Sequence, residues 1–368
     1  MPSGLRRSCA AALAALLTTA WAHGQSPALE FPGSDTRSCR QVMPAADPPP
    51  VWISPSPTDR PALSRWCETV GPVFYQPHPA SDSRGPIDRL AIVSWNIHEG
   101  GGDVDDLIRR LRHGEFTGGE PVDQFVLLLQ EATRRDPAVP ARIRRGYPAP
   151  RSIPSRHGSR DTDIRRLAAD GLAVLYAPSM RNSDEPAGGG GGEDRGNAII
   201  STLPLADPRL IELPLERQRR VAAAAAVEGR TSAGGVWRLD VVNVHLDTAV
   251  ALWRGGPFAA RRRQTAALLH ALRPKAGVEP NSGATVVAGD FNTWNGDREP
   301  AVTALKDAFP GTPGADRTRT WTGPLGLHAR LDHIFVRGAV SPSRVTRLPS
   351  RLGSDHFPLL TVLRFGGN

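Results

Sequence analysis

The sequence predicts an α/β fold, and three observations support this prediction. Apolar runs of strand length, rich in Val, Ile and Leu and bounded by Gly or polar residues, recur from Leu90 to Phe365. Segments with the apolar spacing of a helix alternate with these runs over roughly 280 residues. Several runs end directly in Asn, Glu, Asp or His, where α/β proteins commonly carry functional side chains.

Length and charge limit the functions to consider. The chain has 368 residues, of which 39% are hydrophobic and 22% charged, with a formal net charge of +8. This length holds one large domain or two ordinary ones, and we expect a monomer without stable membrane insertion. Arginine greatly outnumbers lysine, which suits an anionic partner such as a phosphate, although genome composition also produces this bias.

Two segments precede the main domain. Residues 1–24 are typical of a secretory signal peptide, because Arg6 and Arg7 precede an apolar stretch and a small-residue cleavage site. We therefore expect a secreted or periplasmic protein, with an ordinary N-terminal helix as the alternative. Residues 25–86 form a Pro-rich arm with little periodicity, and residues 87–368 form the main domain.

Two cysteines, Cys39 and Cys67, remain in the arm once the signal peptide is removed. A cysteine pair in an exported protein predicts one disulfide, and two free thiols are the alternative. We expect the arm to be irregular, to lie against the domain or link to it, and to carry no catalytic residue.

Polar side chains follow the first strands of the main domain. The first strand ends at Asn96, and Asp103 then caps a predicted helix. The next strand covers residues 124–129 and is followed by Glu131, a metal-ligand candidate whose alternative role is a helix cap. Asn197 enters a later strand after a glycine-rich loop.

The middle of the domain predicts a hairpin and a helix. Residues 221–227 contain five successive alanines, which favour a helix by propensity, but the short run and the strand that follows favour a hairpin. That following strand ends at His245, where a surface histidine is as compatible with the pattern as a functional one. A helix is expected from Pro257 onwards.

The strongest functional pattern is the strand over residues 284–288 with the polar residues after it. An aspartate at the mouth of a strand, such as Asp290, can orient or deprotonate a water molecule. Asn292, two residues on, can donate hydrogen bonds to an oxyanion. Turn formation is the alternative role for both residues.

Two further strand ends carry Asp332, and Asp355 with His356. The combined set offers oxygen and imidazole ligands, and its carboxylate and amide oxygens suit Mg²⁺, with Mn²⁺ or Ca²⁺ as alternatives. Several acids and histidines around a hard cation can hydrolyse a phosphate ester with an activated water. The sequence has no recognisable Ser or Cys nucleophile motif, glycine-rich phosphate loop or zinc-type cluster.

Seven short motifs stand in the order found in a known group of enzymes. They are Trp95-Asn96, Gln130-Glu131, Gly196-Asn197, Asn243-Val244-His245-Leu246, Gly289-Asp290-Phe291-Asn292, Leu331-Asp332-His333-Ile334 and Ser354-Asp355-His356. This order resembles the endonuclease/exonuclease/phosphatase superfamily, which includes pancreatic-type deoxyribonucleases, abasic-site endonucleases, bacterial sphingomyelinases and inositol polyphosphate phosphatases. The resemblance implies a four-layer sandwich, with two mixed β-sheets face to face, helices outside and the active site at one rim.

The resemblance also implies a role for each candidate residue. Glu131 would be the main metal ligand, with Asn96 and Asp355 beside it. Asp290 would align or deprotonate the attacking water, and Asn292 would stabilise the transition state.

The remaining candidates would act on the phosphate. His356 would bind the scissile phosphate, held in orientation by Asp332. His245 would be a general acid, and Asn197 would contact a non-bridging oxygen.

The resemblance leaves the substrate open. The basic charge favours a nuclease-like phosphodiesterase acting on nucleic acid; a phospholipid, as for a sphingomyelinase, or a phosphomonoester such as an inositol phosphate is the alternative. A phospholipid hydrolase is expected to present an exposed aromatic hairpin, for which Trp253 and Phe258 are a poor candidate. An inert binding protein on the same scaffold is the alternative of another class, although it would be expected to have lost the acidic residues.

Overall fold

The described part of the chain contains eighteen strands and five helices, besides short 3-10 turns. The predicted signal peptide and Trp253 lie outside this part. None of the described helices is long and apolar enough to cross a membrane. The computed structural model describes residues 29–31, 38–44, 46, 48–54, 56–80, 85–143, 147–148, 163–182, 192–248, 255–256, 258–273, 283–314 and 318–366.

The elements are numbered in chain order. The strands are β1 (Leu29–Phe31), β2 (Val42–Met43), β3 (Val51–Ser54), β4 (Val73–Gln76), β5 (Arg89–Asn96), β6 (Phe125–Asp136), β7 (Ala173–Arg181), β8 (Gly192–Ser201), β9 (Ala206–Glu212), β10 (Val221–Arg230), β11 (Val236–His245), β12 (Ala284–Asp290), β13 (Trp321–Thr322), β14 (His328–Ala329), β15 (Asp332–Arg337), β16 (Ser341–Pro342), β17 (Thr346–Arg347) and β18 (Leu359–Arg364). The helices are α1 (Arg60–Cys67), α2 (Val104–Arg112), α3 (Ile164–Ala169), α4 (Ala259–Ala271) and α5 (Pro300–Ala308).

Two mixed sheets carry most of these strands. The seven-stranded sheet has the order β1-β3-β9-β10-β11-β12-β15. The nine-stranded sheet has the order β16-β18-β5-β6-β8-β7-β4-β2, and β17 pairs with β18 beside it. The pairs β5–β6 and β11–β12 are parallel, whereas most other neighbours are antiparallel.

Three buried apolar clusters separate four layers. The largest lies between the sheets and includes Ile92 of β5 and Leu239 of β11. A second cluster packs Leu107 of α2 against the outer face of the nine-stranded sheet, and a third packs Leu268 of α4 and Val302 of α5 against the outer face of the seven-stranded sheet. This arrangement confirms the four-layer sandwich that the resemblance implied.

Helix α2 forms for reasons that are visible in its sequence. The side chain of Asp103 accepts a 2.9 Å hydrogen bond from the backbone N–H of Asp106, which confirms the predicted cap. Val104, Leu107 and Leu111 fall on one face at spacings of three and four residues and are fully buried. The capped end follows β5 closely and so returns the chain along the outside of its sheet.

The alanine run at 221–227 is strand β10, as the hairpin prediction required. It pairs antiparallel with both β9 and β11. Ala223 packs into the cluster between the sheets, while Ala224 packs into the cluster under α4 and α5. Because both faces are buried, sheet pairing overrides the helix propensity of alanine.

The arm over residues 25–86 is not irregular in its described part, and that expectation was wrong. It contains β1 to β4 and α1, with β1 and β3 extending the seven-stranded sheet and β2 and β4 extending the nine-stranded sheet. Proline interrupts local periodicity but is tolerated directly before a strand begins, as Pro50 is before β3 and Pro72 before β4. Pairing with distant strands then supplies the order. The domain boundary at residue 87 stays a prediction.

The predicted disulfide between Cys39 and Cys67 is present and buried. It joins residues 28 positions apart, next to an ion pair of 3.1 Å between Arg40 and Glu212 of β9. The disulfide closes a loop within the arm, and the ion pair attaches that loop to β9 of the seven-stranded sheet.

Replacing both cysteines, Cys39→Ser with Cys67→Ser, is expected to lower the free energy of unfolding by about 3 kcal/mol, because the unfolded arm regains the freedom of an open loop. Urea denaturation of both proteins, with and without dithiothreitol, measures this. The reductant should destabilise only the natural sequence. Equal midpoints without reductant would contradict the prediction.

Candidate active site

The candidate site lies at the rim where the carboxyl ends of two parallel strand pairs meet. In the nine-stranded sheet, β5 ends where its pairing with β6 ends, with Asn96 opposite Gln130. In the seven-stranded sheet, β11 and β12 end together, with His245 opposite Asp290. A 3.0 Å hydrogen bond from Asn96 Nδ2 to Asp290 Oδ2 joins the two rims, so residues from both sheets converge.

Asp290 lies at the centre of the site and is 1% exposed. Its Oδ2 lies 3.5 Å from His245 Nε2 and 3.8 Å from His356 Nε2. Its Oδ1 accepts a 2.8 Å hydrogen bond from the backbone N–H of Asn292, so the carboxylate is held in one orientation. Burial raises the pKa of Asp290 to about 7, with help from Asp332 and against the opposing charge of His356.

The position before Asp290 requires glycine. A Cβ added to Gly289 would lie 1.8 Å from the carbonyl oxygen of Val244 on the neighbouring strand. Any side chain here would separate β11 from β12 at the level of His245 and Asp290. The glycine therefore permits the close approach that brings these two side chains together.

His356 is oriented by contacts on three sides. Its Nδ1 lies 2.8 Å from Asp332 Oδ2, its backbone N–H donates to Ser354 Oγ at 3.0 Å, and its carbonyl accepts from Trp95 Nε1 at 3.1 Å. Burial alone would lower the pKa of His356, but the charges of Asp332 and Asp290 outweigh it and raise the pKa to about 10. The ring is therefore a fixed positive charge beside Asp290 at neutral pH.

Asp355 lies on the outer side of His356. Its Oδ1 is 4.0 Å from His356 Nε2 and 3.2 Å from His98 Nδ1, and its Oδ2 accepts a 2.9 Å hydrogen bond from Trp321 Nε1. Burial acts to raise the pKa of Asp355, but these three neighbours outweigh it and lower the pKa to about 2. Asp355 is therefore ionised at neutral pH.

Glu131 and His245 line a small cleft beside Asp290. Glu131 sits at a β-bulge of β6 with φ of +54°, and its half-buried carboxylate makes no hydrogen bond or ion pair with the described residues. Burial lowers the pKa of His245 well below its usual value, and the charges of Arg220 and His356 add to this effect. The His245 ring is therefore neutral near pH 7 and can donate a proton only if a new negative charge arrives.

Strained backbone is concentrated at this rim. Seven described residues other than glycine have a positive φ, and four of them lie at these strand ends. Such conformations cost of order 1–3 kcal/mol each and persist where the surrounding structure holds them, often at functional sites. The four are His98, Glu99, Glu131 and Asn292, with φ between +47° and +57°.

The donor set fits a hard divalent cation. One ligand atom each of Asp290, Asp332 and His356 lies within 4.8 Å of the others. Asp332 Oδ1 is buried and has no hydrogen-bond partner in the described part, and the Glu131 carboxylate is equally uncommitted. Carboxylate oxygens, including those of the predicted ligand Asp355, are the donors that Mg²⁺, Mn²⁺ and Ca²⁺ prefer. The charged His356 ring would lie beside the cation rather than bind it.

Some predicted residues have side chains already engaged in the fold. Asn96 Oδ1 accepts from the backbone N–H of His98 at 3.0 Å, in addition to the bond that its Nδ2 gives. Asn292 Nδ2 donates to the Leu246 carbonyl at 3.0 Å, which leaves its second amide hydrogen for a ligand. Asn197 Nδ2 donates to the carbonyl of Val221 on the opposite sheet at 2.8 Å.

Several residues of the site escaped the sequence analysis. Arg195 binds Glu99 at 2.5 Å, and Ser354 Oγ donates to the Asn96 carbonyl at 2.6 Å. Arg220 lines the same cleft as Glu131. The sequence signal for Arg220 was its position directly before strand β10. Because β10 runs antiparallel to β11, which ends at His245, Arg220 and His245 lie at the same edge of the sheet.

The fold and the site together define a phosphoesterase scaffold, in which oxygen ligands and two histidines surround one rim of a four-layer sandwich. A family model described as Endonuclease/Exonuclease/phosphatase family matches residues 93–356. The chain therefore belongs to this family, as the resemblance implied, and members of the family are metal-dependent hydrolases of phosphate esters. No curated protein matches the sequence.

Solved structures of the family are similar to this chain at low identity. An endonuclease/exonuclease/phosphatase from Beutenbergia cavernae is 20% identical, with 76% of this chain and 72% of that chain covered and a TM-score of 0.49. The human Nocturnin catalytic domain is 18% identical, with 78% and 97% covered and a TM-score of 0.45. Truncated Caenorhabditis elegans TDP2 is 16% identical, with 75% and 97% covered and a TM-score of 0.40.

His333, beside Asp332 in the chain, faces away from the site into the layer under α5. Its Nε2 lies 2.8 Å from Thr293 Oγ1, and its ring packs against Phe291 and Phe335. Burial, assisted by the charge of Arg330, lowers the pKa of His333 to about 3. This histidine is therefore a neutral core residue.

His333 is expected to make the fold acid-sensitive. Below about pH 6.5 the unfolded chain binds a proton that the folded protein excludes, so stability falls as the pH falls towards 3. Relative to His333→Gln, the natural protein should lose about 2 kcal/mol of unfolding free energy between pH 7 and pH 5. Urea denaturation of both proteins at the two pH values tests this prediction. Equal losses of unfolding free energy in the natural protein and in His333→Gln would contradict it.

Proposed function

We propose that the protein is an exported, divalent-metal-dependent phosphodiesterase that hydrolyses its substrate with an activated water. One observation carries the proposal: Asp290 Oδ2 lies within 3.8 Å of both His245 and His356 at a buried rim, and Asn96 donates a hydrogen bond to the same oxygen. Those groups come from four separate strands or loops of two sheets. A purely structural cluster would not require so many buried ionisable groups at one point.

Glu131, Asn96 and Asp355 would hold the cation, and Asp332, which lies within 4.8 Å of Asp290 and His356, is a further oxygen donor. When bound, a divalent cation neutralises charge on phosphoryl oxygens and stabilises a leaving oxygen. The uncommitted Glu131 carboxylate supports its assignment as the main ligand.

Asp290 would orient the attacking water and take its proton. Its two oxygens are fixed by the backbone N–H of Asn292 and by Asn96 Nδ2, so the remaining lone pairs have a set direction. His356 would bind the scissile phosphate through Nε2, since its Nδ1 is committed to Asp332. The aspartate thereby keeps the histidine charged and correctly turned.

His245 would stand on the leaving-group side, and Asn197 would contact a non-bridging oxygen. The neutral His245 ring donates one hydrogen bond. The negative charge of an incoming phosphate would favour its protonation, which is the condition for the predicted role as general acid. Asn292 would contribute its second amide hydrogen to the transition state.

Nucleic acid is our first candidate substrate, because of the net charge of +8 and the arginine content. A phospholipid is the second, and one observation favours it. The β13–β14 hairpin beside the site exposes Leu325 completely and Leu327 by 59%, while Trp294, 47% exposed, packs against Trp321. This apolar hairpin is a different segment from Trp253 and Phe258, the poor candidate in the sequence.

The substrate class is tested with a panel on the mature protein: bis-(p-nitrophenyl) phosphate, plasmid DNA, RNA, sphingomyelin vesicles and inositol phosphates, each with Mg²⁺, Mn²⁺, Ca²⁺ or chelator. We expect cleavage of the model diester and of DNA that the chelator abolishes and added metal restores. Cleavage of sphingomyelin without DNA would support the second candidate. No cleavage of any substrate would favour the inert binding protein.

Asp290→Ala is expected to lower kcat on bis-(p-nitrophenyl) phosphate by about two orders of magnitude or more, because the water loses its base. Asp307→Asn, an exposed change on α5, is the matched control and should keep full activity. Circular dichroism checks that both variants fold. A folded Asp290→Ala protein that retains most of its turnover would refute the assignment.

A further inference from the structure

Arg220 occupies an unusual position next to the candidate site. It directly precedes β10, which runs antiparallel to β11, with Ala223 opposite Asn243. By this register Arg220 stands level with the chain just beyond His245. Its side chain is 5% exposed and lines the cleft that also contains Glu131 and His245.

Arg220 differs from the other buried arginines in having no partner. Seven arginines in the described part are less than 9% exposed. Six of them have a hydrogen bond or ion pair to another group, such as Glu212 for Arg219 and Asp194 for Arg134. The guanidinium of Arg220 has none with any described residue, and its Nε is wholly inaccessible. The seven are Arg40, Arg134, Arg181, Arg195, Arg219, Arg220 and Arg261.

An unpaired buried guanidinium is unfavourable for the folded protein by itself. Desolvation disfavours its charge, and Asp247 and Glu131 compensate only from a distance, so the pKa of Arg220 is lowered. Such an arrangement becomes favourable when an anion supplies the missing partner. The guanidinium of Arg220 is therefore a hydrogen-bond donor at the cleft that is available to an anion.

The second arginine of the cleft is already committed. Arg195 binds Glu99 at 2.5 Å and Asn182 Oδ1 at 3.3 Å, and its other nitrogen contacts Met180. The free space in the cleft is about 10 Å³, which is the room that one water-sized group needs. One oxygen of a tetrahedral anion fits this space, with Arg220 as the available cationic donor.

We propose that Arg220 binds a non-bridging oxygen of the substrate's phosphoryl group, on the side of the site that carries His245 and Glu131. This assignment rests on the proposed phosphoesterase function for the identity of the anion. Arg220 would thus anchor the phosphoryl group from the cleft, in addition to the charged His356. No titration of Arg220 is required, because the guanidinium stays charged.

The test is binding of inorganic phosphate to metal-free protein at pH 7.5, measured by isothermal titration calorimetry in chelator. Arg220→Met is expected to weaken phosphate binding about 10- to 100-fold, because a charge-assisted hydrogen bond is lost. Arg220→Lys keeps the positive charge but loses the planar guanidinium. Its phosphate affinity should lie between those of the natural protein and Arg220→Met. Arg217→Met, an exposed change in the same loop, is the matched control and should bind as the natural protein does.

A second measurement separates binding from a structural role. If Arg220 awaits an anion, the thermal midpoint of unliganded Arg220→Met should equal or exceed that of the natural protein, because an unpaired buried charge has been removed. A clear fall in that midpoint would indicate a structural arginine and overturn the inference. Unchanged phosphate affinity in Arg220→Met, or no binding by the natural protein at millimolar phosphate, would also overturn it.

The phosphate-binding experiment and the test of the proposed function can fail separately. Phosphate binding that is lost in Arg220→Met, in a protein that cleaves no ester, would support the anion site and refute the hydrolase. Cleavage of esters by the natural protein, with phosphate affinity unaffected by Arg220→Met, would support the hydrolase and refute the anion site.

Discussion

Hydrogen bonds donated by buried amide side chains hold the two sheets in register at the rim of the candidate site. Apolar packing between sheets is not directional and by itself tolerates sliding. A buried amide that loses its partner is costly, so each such bond fixes one pair of strands relative to the other sheet. Three consecutive strands of the nine-stranded sheet make one each: Asn96 to Asp290 at 3.0 Å, Gln130 to Asn243 at 2.7 Å and Asn197 to the Val221 carbonyl at 2.8 Å. The geometry of the site depends on these three contacts.

The two site histidines illustrate how environment assigns opposite charge states to one residue type. Both are buried, and burial alone disfavours the charged ring in each. His356 has Asp332 at 2.8 Å and is charged, whereas His245 has Arg220 among its neighbours and is neutral. Asp290 lies between them, so its carboxylate meets a cation on one side and a hydrogen-bond donor on the other.

Much of this site was predictable from local sequence, because strand ends are local features. Asn96, His245 and Asp290 each terminate an apolar run, and the parallel pairing of β11 with β12 places His245 and Asp290 at one edge of the seven-stranded sheet. Asn96 joins them from the other sheet. The strands of the arm were missed, since short segments gain order only by pairing with strands more than a hundred residues away. The environment of Arg220 was missed for a related reason. Whether a buried arginine has a partner depends on side chains brought together by the whole sandwich.

The rim of the candidate site is polar on the inside and apolar on the outside, and this difference bears on the choice of substrate. Inside, every contact to a phosphate would be ionic or polar, and such contacts serve any phosphate ester equally. Outside, Trp321 joins the two regions, because its Nε1 binds Asp355 while its ring packs against Trp294. Leu325 extends from the same hairpin into solvent. Since the interior cannot distinguish a nucleotide from a lipid headgroup, discrimination must come from the substrate groups attached to the phosphate. An aromatic and aliphatic rim can stack on a base or lie against an acyl chain. Under the proposed function, the hairpin would therefore select the substrate, while the residues at the strand ends would carry out the hydrolysis.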